Sequence, residues 1–192
     1  MKSARSLLSN GAALLCLTLI AASVRAQNPE TVIVEVAFFS QPSSRLLPAE
    51  PADLDWADQA LVLRETANSQ VREIDTTRQE LNDEMARMSR QGYRLQLHKA
   101  WTQPVGLGMP IAVTDTDSPA SNMGTDPQRV QGLVGIDQGS GLEANVSFWL
   151  NHVAADGSPI TERIEQTRKL RLDETHYLDH PSLGVLIRLR AN

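Results

Sequence analysis

Cysteine is almost missing from this sequence, and the single one, Cys16, lies inside an apolar N-terminal stretch. Lys2 and Arg5 precede that stretch, which occupies residues 11–22 and gives way to Val24-Arg25-Ala26. Charge, apolar run and small-residue site in that order form a cleavable secretory signal peptide. The run is shorter than the roughly 20 apolar residues a spanning helix needs. Cleavage is expected after Ala26. Leu15 stands where a lipidated Cys would want a small residue. The expected mature chain, residues 27–192, then lacks cysteine, which excludes a disulfide, a thiol nucleophile and a Cys metal ligand. Cations are scarce as well. Removing Lys2, Arg5 and Arg25 takes the basic residues from 18 to 15 against 23 acidic ones, a formal charge of −8. Such a chain has no electrostatic footprint for nucleic acid or for an anionic membrane surface. No later segment is apolar enough to span a membrane.

Catalytic motifs are lacking too. The sequence has no P-loop and no Gly-x-Gly-x-x-Gly, and no Gly-x-Ser-x-Gly elbow. Asp173 and Glu174 are adjacent acids, which point apart on a strand and poorly suit glycoside hydrolysis. His176 and His180 have the spacing of two helical metal ligands, but Pro181 disfavours helix there. No metal or cofactor is expected, and no enzyme. His176, Asp179, His180 and Pro181 are read as a structural corner that joins a strand ending near Leu172 to one starting at Leu183.

What is present is mostly strand pattern. Residues 31–40 are apolar on both faces except for Glu35, the mark of a central, covered strand. Residues 53–63 suggest a short helix. Thr77 and Glu80 have capping-box spacing ahead of a helix over 77–91, with Leu81, Met85 and Met88 on one face and Gly92 to end it. Tyr93, Leu95 and Leu97 then alternate with polar residues. Residues 103–128, rich in Gly, Pro, Ser and Asp, read as a long loop with one edge strand near 111–113. Residues 130–136 form a strand. In the next strand Leu142, Ala144, Val146, Phe148 and Leu150 face inward. Asp156-Gly157 signals a hairpin, with a return strand over 160–172. Leu183, Val185, Ile187 and Leu189 share one face of the last strand. The fold class expected is α+β: one domain with a mainly antiparallel sheet of six or seven strands and one helix on one face.

Candidate binding residues are drawn from the few aromatics and their polar neighbours. Trp149 falls on the outward face of its strand beside Asn145, Ser147 and Asn151. It is either an exposed platform for a sugar or a protein partner or lies under a second layer. Trp101, at a strand end, and Tyr177 are the other candidates.

Three segments carry a family resemblance. Residues 32–39 (Val-Ile-Val-Glu-Val-Ala-Phe-Phe) form the first, and residues 98–105 (His-Lys-Ala-Trp-Thr-Gln-Pro-Val) the second. The third comprises Thr167-Arg168-Lys169-Leu170-Arg171, His176-Tyr177-Leu178-Asp179-His180-Pro181 and Leu183-Gly184-Val185-Leu186-Ile187. Together they resemble the CsiV family of periplasmic peptidoglycan-binding proteins of Gram-negative bacteria. The resemblance implies a periplasmic, non-catalytic accessory of cell-wall biogenesis and cell shape. It further implies peptidoglycan as ligand, and as partners a class A penicillin-binding protein with its outer-membrane lipoprotein activator. Residues 42–70 and 106–129 depart from the family pattern. An envelope structural or assembly protein without glycan binding is the alternative, and a cell-wall hydrolase a more distant one.

Overall fold

The computed structural model describes residues 30–42, 46–52, 59–63, 70–115 and 129–192; the expected signal peptide lies outside them. Among the described residues ten strands form two five-stranded sheets. One sheet holds, in spatial order, β3 (Arg72–Glu73), β4 (Arg94–Pro104), β1 (Thr31–Ser40), β10 (Leu183–Ala191) and β9 (Thr175–Asp179). The other holds β2 (Leu61–Val62), β5 (Ile111–Thr114), β6 (Val130–Gln138), β7 (Leu142–Val153) and β8 (Pro159–Leu170). Every pairing is antiparallel except β2 with β5. The expected single sheet of six or seven strands is therefore corrected to two sheets of five. The reason is a matter of coverage. The inward residues of β1, β7 and β10 together make an apolar surface far larger than one short helix can bury, so two sheets cover each other.

Val32, Val34, Val36 and Phe38 of β1 and the alternate residues of β10 pack against Val146, Phe148 and Leu150 of β7 and Val134 and Ile136 of β6. Phe38 and Phe148 stack between the sheets with centroids 4.8 Å apart. Gly132 makes room for this stack, because a Cβ there would lie 2.3 Å from the Phe148 ring. The alternation expected for β4 fails at one point. A register shift between Phe38 and Phe39 sends Leu97 into the core while Leu95 pairs with Phe39 and stays exposed. One extra residue in a strand flips the side chains beyond it.

The helix is shorter than its pattern suggests. Thr76–Arg78 form a single 3-10 turn whose N-cap is Asp75, accepting from the Thr77 N–H at 2.9 Å. The α-helix α1 then runs Asn82–Arg90, and Gly92 follows it at φ 91°. The expected capping box does not form; Thr77 Oγ1 donates to Asp75 instead. Leu81, Met85 and Met88 pack on Ala37, Phe39 and Leu186, the outward side of the first sheet. Of the short helix expected over 53–63, residues 53–58 lie outside the described residues, and Leu61–Val62 is a strand. The long loop expected over 103–128 is shorter at its start, since β4 reaches Pro104 and β5 occupies 111–114. Its remainder, 116–128, lies outside the described residues.

The cap of α1 comes from β1. Glu35 has no exposed surface, and its Oε1 and Oε2 accept from the backbone N–H groups of Leu81 and Glu80 at 2.8 and 2.9 Å. His98 Nε2 lies 2.8 Å from Oε1 and the Arg190 guanidinium 3.8 Å from Oε2. Burial pushes the carboxyl pKa up, but the bonds from His98, Glu80 and Leu81 outweigh it and hold the group below its usual 4.5. The folded state therefore favours the carboxylate. Its contribution is complete above pH 4.5 and is lost as pH falls through the lower folded value. Glu35→Ala should cost about 3–5 kcal/mol in denaturant unfolding, the usual loss when one partner of a buried charged cluster is removed. Glu35→Gln should flatten the fall in stability seen between about pH 5 and about pH 3; a variant that keeps the wild-type acid profile would refute this.

Candidate functional site

The two sheets leave two outward faces. That of the second sheet carries Ala112 and Thr114 on β5, Gln131, Leu133, Gly135 and Asp137 on β6, Asn145, Ser147 and Trp149 on β7, and Arg163, Glu165, Thr167 and Lys169 on β8. Strand register aligns these into rows: Gln131–Trp149–Arg163, Leu133–Ser147–Glu165 and Gly135–Asn145–Thr167. An open cleft of about 260 Å³ lies over the middle rows. Gly108, Met109 and Pro110 form one wall, and Leu133, Gly135, Asp137, Asn145 and Ser147 line the floor and the other wall.

Asn145 is the fixed point of this cleft. Its Nδ2 donates to Asp137 Oδ2 at 2.7 Å, and its Oδ1 accepts from Thr167 Oγ1 at 2.6 Å. The amide orientation is thus set from both sides, with one N–H to spare. Ser147 Oγ and Asp137 Oδ1 have no partner among the described residues. Gly135 keeps the floor low: a Cβ there would meet nothing closer than 3.9 Å, so a larger side chain would stand in the cleft. The site offers a carboxylate, an amide and hydroxyls in a shallow, water-open row, which suits a polar polymer laid along the sheet.

The other candidates separate. Trp149 faces outward as expected but is only 7% exposed, with the Arg163 guanidinium 5.0 Å from its ring centroid. It is a covered residue and not an open platform. Trp101 is fully buried in the core between the sheets, and its Nε1 donates to Gln103 Oε1 at 2.7 Å. Gln103, two residues on and on the same strand face, is a signal that could have placed this indole inside. Tyr177, 40% exposed, lies on the outward face of the first sheet, opposite Asn145.

The expected corner is mostly strand. Thr175–Asp179 is β9, which makes a hairpin with β10 through His180–Ser182. β8 ends at Leu170, and the chain turns through Asp173 at φ 63°. Within this region the Asp179 carboxylate accepts from Tyr177 Oη at 2.8 Å and from Gln41 Nε2 at 2.9 Å, so its partners are side chains rather than backbone. The two His rings serve different groups. His176 Nε2 accepts from the Arg171 N–H at 3.1 Å, and His180 Nδ1 from the Ser182 N–H at 3.3 Å. Burial lowers the His180 pKa against the raising pull of Glu162 and Asp179. Pro181 is exposed in the turn. Among the described residues no group of three or more His, Cys, Asp or Glu side chains could hold a metal ion.

The profile of the peptidoglycan-binding protein CsiV family matches residues 27–191. The chain belongs to the CsiV family. No curated protein and no solved structure matches it. Glycan strands carry hydroxyls and N-acetyl amides. The Asn145 cleft holds complementary groups without enclosing a ligand. Gln41, Asp137 and Gly135 were not picked out by sequence reasoning, and Thr167 stood there only within a family segment. Gly135, at an outward position of an otherwise regular strand, is a signal that could have been found.

Trp149→Ala should cost about 3–5 kcal/mol, as emptying a covered Trp site does. Equilibrium unfolding checks it, and a loss under about 1 kcal/mol, usual for a surface position, would contradict the burial.

Proposed function

We propose that this CsiV protein is a non-catalytic, periplasmic peptidoglycan-binding accessory that lays a glycan segment along the outward face of its second sheet. The observation that carries this is the Asn145 amide, held by Asp137 and Thr167 on the floor of an open polar cleft. A pre-oriented amide loses little entropy when a sugar hydroxyl or acetamido group replaces water on it. The non-catalytic reading is supported by the exposure of the cleft, since acid–base chemistry on a glycoside uses a carboxylic acid whose pKa is raised by its surroundings. The periplasmic reading is supported by the signal-like sequence ahead of residue 27, where the family match begins. Assistance to a class A penicillin-binding protein and its lipoprotein activator is a finer proposal, carried by the family resemblance alone.

Sedimentation with purified sacculi tests the site. Asn145→Ala and Gly135→Val should each weaken binding by about tenfold, the equivalent of about 1.4 kcal/mol, with little change in melting temperature. Two variants that melt and bind like wild type would remove the cleft from the binding surface.

A further inference from the structure

We infer that the face bearing Tyr177 is a second glycan subsite, so that one domain holds two glycan segments on opposite sides of its sandwich. This rests on the reading of the protein as a peptidoglycan binder and adds a site to it.

Tyr177 is 40% exposed yet held on several sides. Its ring lies nearly parallel to that of the fully buried Phe39, at 8° and 5.8 Å between centroids, and Phe39 in turn meets Tyr93 edge-on at 5.5 Å. The absence of a side chain at Gly184 permits this arrangement. A Cβ there would lie 2.5 Å from the Phe39 ring and 2.9 Å from that of Tyr177. The phenol is tied to Asp179 Oδ1 at 2.8 Å, and Gln41 Nε2 reaches the same oxygen at 2.9 Å and the Leu183 carbonyl at 3.2 Å. Asp179 Oδ2 has no partner among the described residues. Burial and the bond to Asp179 both raise the Tyr177 pKa, so the phenol stays a protonated donor. Leu95, 43% exposed, pairs with Phe39 from the other side.

A fixed aromatic ring with a carboxylate that keeps one oxygen open at its polar edge has the chemistry for a pyranose; the Gln41 amide, which also donates to the His180 carbonyl, holds that edge in place. The ring takes the apolar C–H face of the sugar, and the polar edge takes its hydroxyls. Pre-fixing the ring keeps the ordering cost of binding small. Purely structural service explains the site less well, because a core aromatic gains by full burial and Tyr177 leaves much of its surface in water. The sheets of a sandwich stack about 10 Å apart, so a sugar on Tyr177 cannot also reach Asn145. Two sites on one rigid body would bind a meshwork with avidity beyond that of either alone.

Isothermal titration of the secreted protein with chitotetraose, a peptide-free β-1,4 glycan, counts the sites. Two sugars per chain are expected. Tyr177→Leu should remove one and Asn145→Ala the other, with the double variant silent. Should Tyr177→Leu fail to fold, Asp179→Asn tests the same rim and should weaken one of the two sites alone. A single site in wild type, two sites untouched by the rim variants, or sacculi bound while chitotetraose is not, would overturn this inference and leave peptidoglycan binding standing. Wild-type protein that binds neither sacculi nor chitotetraose would overturn the parent reading.

Discussion

A carboxylate without exposed surface, on a strand covered from both sides, is the constraint around which this protein is arranged. β1 sits third of five in its sheet and between its end residues Thr31 and Ser40 is apolar on both faces apart from Glu35. A buried charge is tolerated only when paired and hydrogen-bonded. Glu35 meets that demand by drawing in the N–H groups of Glu80 and Leu81, His98 from β4 and Arg190 from β10. The same contacts that satisfy the charge place the start of α1 on the sheet. Leu81 and Met85 then cover Ala37 and Leu186. One acidic side chain thus fixes which part of the outward face is closed by helix and which part stays open.

The open part is where Tyr177 stands, beyond the ring of Phe39. The second sheet has no α-helix over its outward face among the described residues, and there the polar rows around Asn145 reach water. The two surfaces with exposed, pre-oriented polar groups therefore lie back to back, separated by the core that Phe38 and Phe148 join. The family to which the chain belongs is described as peptidoglycan-binding.

Much of the local structure was legible because its causes are local. The two-sided burial of β1, the inward residues of β7 and β10, the Asp156-Gly157 hairpin and the end of the helix at Gly92 all follow from side-chain period or turn chemistry within a few residues. The hairpin shows the cause directly: Asp156 Oδ1 accepts from the Ser158 N–H at 2.9 Å while Gly157 adopts φ 85°. Of the candidate site, Asn145 and Tyr177 could be nominated from sequence as surface positions with useful chemistry. Trp101 and Trp149 could be nominated too, with exposure left open for both; the structure buries them, because burial of a Trp depends on what lies over it.

The sequence by itself determined the long strands β1, β6, β7, β8 and β10, the inward faces of β7 and β10, the family and the acidic, cysteine-free character of the expected mature chain, since each depends on neighbours along the chain or on composition. Tertiary structure alone decided how ten strands divide into two sheets, where a bulge reverses β4, what caps α1, and which aromatics remain in water. Each of those rests on contacts between residues far apart in sequence: Glu35 with Leu81, Phe38 with Phe148, Gln41 with Asp179. Periodicity carries no information about such partners, because a strand's alternation says which side chains share a face and never what that face will meet.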